Sequence, residues 1–64
     1  MKWIDIYEIA IELADTYPDL DPYSVSFTSL YEYVCNLDNF SDNPEKSSEK
    51  ILEAIQAAWA DEIN

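Results

Sequence analysis

The chain has 64 residues, with 14 acidic side chains against three basic ones, no histidine, no glycine, one cysteine and a net charge of −11. That balance argues against nucleic acid and anionic membranes as partners, because both are bound through clustered Lys and Arg. A single cysteine excludes an internal disulfide, and the residues that usually serve as general base, anion clamp or phosphate loop (His, Arg, Gly) are missing.

With 48% of residues hydrophobic, an ordered core of aromatic and aliphatic side chains is expected rather than an acidic disordered tail. The expected fold is all-α, one domain over residues 1–64, with three main helices and minimal strand. A domain this small buries only roughly 60% of its unfolded surface, so its stability is modest. The lone Cys35 suits a reducing compartment. No signal-peptide pattern and no apolar run of about 18 residues is seen, so a cytoplasmic, monomeric protein is expected.

The first helix is expected from about Asp5 to Tyr17. Asp5-Ile6-Tyr7-Glu8 has the spacing of a capping box, and Ile4 with Ile9 the spacing of a hydrophobic staple. Trp3, Ile6, Ile9, Ala10, Leu13 and Tyr17 recur at helical spacing as a core stripe. Pro18 disfavours helix at Tyr17. In the following loop, Asp21 before Pro22 suits a single helical turn. Val25-Ser26-Phe27 is β-prone but long enough only for an edge strand. Ser29-Leu30-Tyr31-Glu32 reads as a second capping box, opening a helix from Ser29 to Leu37 with Leu30, Tyr33, Val34 and Leu37 on its apolar face. Asn39 to Pro44 is a turn region. Ser47 or Ser48 caps the last helix, whose core stripe is Ile51, Leu52, Ile55, Ala58, Trp59 and Ile63.

The acidic residues carry the candidate site. Asp5, Glu8, Glu12 and Asp15 follow one another at three, four and three residues, which lines them along one helix face. No Lys or Arg of that helix neutralises them. Like charges at this spacing cost about a few tenths of a kcal/mol per pair, and Asp15 opposes the dipole at the C-terminal end. Asp19 and Asp21 continue the charge into the loop. These six are the candidate ligands for a hard cation such as Fe2+, and together with the weaker pair Asp38 and Asp42 they are the candidate partner surface. The plainer alternative is a solvated helix face, with Asp5 and Glu8 explained by capping. The last helix differs, since Lys46, Glu49, Lys50 and Glu53 can pair among themselves. Cys35 has no His or Cys companion, which points to an inert thiol.

Several segments together resemble one family. Lys2-Trp3, Tyr17-Pro18-Asp19-Leu20-Asp21-Pro22, Val25 with Phe27-Thr28, then Leu37, Phe40, Pro44, and Glu49-Lys50-Ile51-Leu52-Glu53-Ala54-Ile55 with Trp59 and Asp61-Glu62 resemble the IscX proteins of bacterial iron–sulfur cluster assembly. The likeness runs in order over nearly the whole chain. It implies a modified winged-helix fold with little strand and no catalytic residues. It implies an adaptor or regulator that binds cysteine desulfurase through exposed carboxylates and holds ferrous iron weakly, with the cluster scaffold or ferredoxin as further partners. Asp5, Glu8, Asp15, Asp19 and Asp21 stand at acidic positions shared with that pattern. The chain departs from it at Asp38-Asn39-Phe40-Ser41-Asp42-Asn43, where the usual acidic run is diluted, at Ser26 in place of Arg, and at Tyr31 and Tyr33 in place of His and Trp.

Three other functions were weighed from charge and fold. An acidic decoy that mimics nucleic acid is permitted by charge. A winged-helix DNA binder is opposed by a central helix without Lys or Arg. A metal-dependent hydrolase would need two acids converging in a closed cleft. The expectation is therefore not an enzyme.

Overall fold

The computed structural model describes all 64 residues and contains three α-helices and no strand: α1 (Ile6–Thr16), α2 (Phe27–Cys35) and α3 (Glu49–Ile63). Single 3-10 turns at Pro22–Ser24 and Pro44–Lys46 punctuate the connections, each led by the proline that presets its backbone. The all-α expectation holds. α1 packs chiefly on α3, and α2 lies against the pair.

One core cluster joins the three helices. It contains Trp3, Ile9, Ala10, Leu13, Leu30, Val34, Leu37, Leu52, Ile55, Ala58 and Trp59. The apolar periodicity of the sequence names all eleven. Ile63, expected in the α3 stripe, lies outside the cluster, in the last turn of α3, and is 44% exposed. Burying a large apolar side chain contributes about 1.5–3 kcal/mol, so Trp3, Ile9, Leu13, Leu30, Ile55 and Trp59, all fully buried, dominate cohesion.

The helix starts differ from expectation in instructive ways. Asp5 does precede α1, but its backbone (φ −84, ψ 57) is not extended and its side chain caps no helical N–H. The carboxylate instead turns back to accept the Lys2 N–H at 2.9 Å. The capping box therefore does not form. The staple fails for a related reason. The turn at Trp3-Ile4 sends Trp3 into the core and leaves Ile4 79% exposed, while Ile9 is fully buried.

α2 begins three residues earlier than the Ser29 cap implied. Ser26 is extended and its hydroxyl accepts the Ser29 N–H at 3.2 Å, so Ser26 is the N-cap and Phe27 the first helical residue. Capping outweighs the β-propensity of Val25-Ser26-Phe27, and no edge strand exists. Between the two serine options for α3, Ser48 is the cap, accepting the Ile51 N–H at 3.2 Å.

The N-terminal segment is fastened to the 39–43 turn. Ser41 N–H donates to the Met1 carbonyl at 2.9 Å. Trp3 donates its backbone N–H to Asp42 Oδ2 at 3.1 Å and its indole Nε1–H to the Asn43 carbonyl at 2.9 Å. The same indole stacks on Tyr31 at 5.9 Å and meets the edge of Phe40 at 4.8 Å. This places the start of α1 against the turn that follows α2.

Candidate carboxylate face

The eight acidic candidates divide into three groups by what their carboxylates touch. Asp5 and Asp21 are engaged with backbone: Asp5 accepts from Lys2 N–H, and Asp21 Oδ1 accepts the Tyr23 N–H at 3.0 Å, capping the Pro22–Ser24 turn. Glu8, Asp15, Asp19 and Asp38 are exposed, and Glu12 is half-buried. Asp42 belongs to the N-terminal fastening, where two N–H groups, those of Trp3 at 3.1 Å and Asn43 at 2.7 Å, hold its carboxyl below the usual range.

Glu8 and Glu12 share a shallow groove with Met1, Ile11 and Asn39, about 350 Å³ in volume. Helical spacing puts them one turn apart. The Asp38-Asn39 turn, distant in sequence, forms the far wall of this groove through Asn39. Asp42 belongs to a different groove, lined by Lys2, Trp3, Ile4, Asp42, Lys46 and Ile51, and Asp38 lines neither groove.

No three of the chain's Asp, Glu and Cys side chains come together as a set able to hold a metal ion. The carboxylates offer oxygen ligands singly or in neighbouring pairs, along an open face.

A residue outside the expected set positions the loop acids. Gln56 of α3 donates through Nε2 to the Pro22 carbonyl at 2.9 Å and to the Val25 carbonyl at 3.5 Å. Pro22 is itself fully buried. Gln56 and Pro22 therefore pin the segment that carries Asp19 and Asp21 to α3. Cys35 is half-buried; burial pushes its thiol up, partly offset by a hydrogen bond with Tyr31. A thiol held neutral in this way is a poor nucleophile and metal ligand.

A family model for iron–sulphur cluster assembly matches residues 1–64. The chain belongs to the iron–sulphur cluster assembly family. It is also 52% identical over 62 residues to an uncharacterised protein of Pseudomonas aeruginosa, a match covering 97% of this chain and 94% of that protein. The α1 face and the Tyr17–Pro22 segment accordingly belong to a protein that works within a multi-protein assembly system. No helix of the chain is long and apolar enough to cross a membrane.

Proposed function

We infer that the chain is a non-catalytic adaptor or regulator of iron–sulfur cluster assembly, of the IscX kind. It docks its α1 carboxylate face on a basic surface of the cysteine desulfurase. The observation that carries this reading is the uncompensated row Glu8, Glu12 and Asp15, the first and last exposed and Glu12 half-buried, on a helix without Lys or Arg. Folding gains nothing from that arrangement, since like charges three and four residues apart are unfavourable. A cationic partner reverses the sign. Asp19 and Asp21 carry the charge on into the loop after α1, and Asn39 lines the groove that Glu8 and Glu12 share.

Ferrous iron fits this face as cargo rather than as a resident cofactor. Oxygen donors suit the ion, but with no three ligands assembled one or two carboxylates and water would hold it weakly. The cytoplasm, where such assembly partners reside, is the compartment that goes with this reading.

The test is the salt dependence of binding to purified cysteine desulfurase, measured by calorimetry. The expected result is affinity that falls steeply with ionic strength and a flatter dependence for Glu8→Gln/Glu12→Gln/Asp15→Asn. Salt-insensitive binding, or no binding, overturns it. Competition with duplex DNA for some other basic protein would favour the decoy reading instead.

A further inference from the structure

The α1 face is not purely acidic. Ile4 and Tyr7 are each 79% exposed and Ile11 is 44% exposed. They follow one another at three and four residues and form one row, starting in the turn before α1 and running up the helix. Glu8, Glu12 and Asp15 run alongside. Ile11 belongs to both features, because it lines the groove that Glu8 and Glu12 share. On its other side Tyr7 borders a second shallow groove, about 290 Å³, with Ile6, Ala54, Ala57, Ala58 and Asp61. An apolar strip thus lies beside the Glu8 and Glu12 groove on one side and a largely apolar groove ending in Asp61 on the other.

We propose that Ile4, Tyr7 and Ile11 are the apolar anchor of the docking surface, and that their occupant is a protein surface pairing apolar side chains with flanking Lys or Arg. This rests on the adaptor reading and sharpens it: carboxylates steer and align the partner, and the Ile4–Tyr7–Ile11 row supplies the salt-independent part of the affinity. Charge complementarity selects the occupant. A second copy of the chain would bring another −11 against Glu8, Glu12 and Asp15, and an anionic lipid surface meets the same repulsion.

Calorimetry with the purified cysteine desulfurase tests this, comparing the wild-type chain, Ile4→Gln/Tyr7→Gln/Ile11→Gln and Glu8→Gln/Glu12→Gln/Asp15→Asn at low and high salt. The row variant is expected to bind about tenfold more weakly or worse at both salt concentrations, with a smaller negative heat-capacity change and an unchanged circular dichroism spectrum. If the triple variant loses helical signal, Tyr7→Gln alone takes its place, with weakening of about threefold or more expected. Wild-type affinity in a folded row variant, alongside weakened binding by the acid variant, overturns the anchor and leaves the adaptor reading intact. A wild-type dimer that the row variant disperses also overturns it, making a second copy the occupant. Failure of the wild-type chain to bind overturns the adaptor reading, and the anchor with it.

Discussion

The backbone N–H of Trp3 lies 3.1 Å from Oδ2 of Asp42, 39 residues further along the chain. Around that bond Trp3 is almost completely buried, stacked on Tyr31, edge-on to Phe40 and bonded through its indole to Asn43. Asp42 is thereby a fold residue, and its charge stabilises the start of α1 against the 39–43 turn.

Asp42→Ala is expected to lower the melting temperature by roughly 4–8 °C while leaving a folded chain. The acid limb of the stability profile carries the same signature. The Trp3 and Asn43 N–H groups lower the folded pKa of Asp42, so the unfolded chain takes up its proton more readily than the folded one. The contribution is complete above the ordinary carboxylate range near about pH 4 and is lost as pH falls through the lower folded value. Thermal melts across that range should show Asp42→Asn with a shallower acid limb than wild type; an identical limb would remove Asp42 from this role.

Trp59 is fully buried, and its indole N–H is the one buried side-chain polar atom without a hydrogen-bond partner. Trp59→Ala is expected to cost about 3–5 kcal/mol, a large part of the roughly 3–10 kcal/mol available to a chain of this length. Trp59→Phe removes the unpaired donor as well as volume, and should cost only about 1–2 kcal/mol. Denaturant titration distinguishes the two; equal losses would show that the N–H finds a partner in solution.

Gln56→Ala removes the bond from α3 to the Pro22 carbonyl at a cost of about 0.5–1.5 kcal/mol. The local consequence is sharper. The amides of Ser24 and Val25, which close the Pro22–Ser24 turn through Asp21 and Pro22 carbonyls, should exchange with solvent faster, and the resonances of Asp19 and Asp21 should shift. Unchanged exchange at Ser24 and Val25 would mean that buried Pro22 alone holds the loop.

The helices were legible where one local rule acted alone. The stripe from Ile9 to Leu13 and that from Leu52 to Trp59 follow from period 3.6, while cap chemistry narrows the start of α3 to Ser47 or Ser48 and the backbone selects Ser48. At α2 the Ser29-Leu30-Tyr31-Glu32 spacing points to Ser29, but the extended backbone at Ser26 makes Ser26 the cap. At α1 the same carboxylate that could cap the helix could also bond Lys2, and it does. Of the candidate site, spacing puts Glu8, Glu12 and Asp15 on one helix and continues the charge to Asp19 and Asp21, but it does not say which carboxylates the backbone engages: Asp5 and Asp21 are taken up by N–H groups. The roles of Asp42 and Gln56 depend on contacts 39 and 34 residues distant, which no local pattern encodes. The exposure of Ile4 follows from the burial of its neighbour Trp3, a choice made by tertiary packing.

The most direct measurement is a residue-by-residue NMR titration of the labelled chain with unlabelled cysteine desulfurase. Perturbation is expected at Glu8, Ile11, Glu12, Asp15, Asp19 and Asp21, with Glu49, Lys50 and Glu53 on α3 little affected. Perturbation confined to α3, or none at all, would contradict docking through α1.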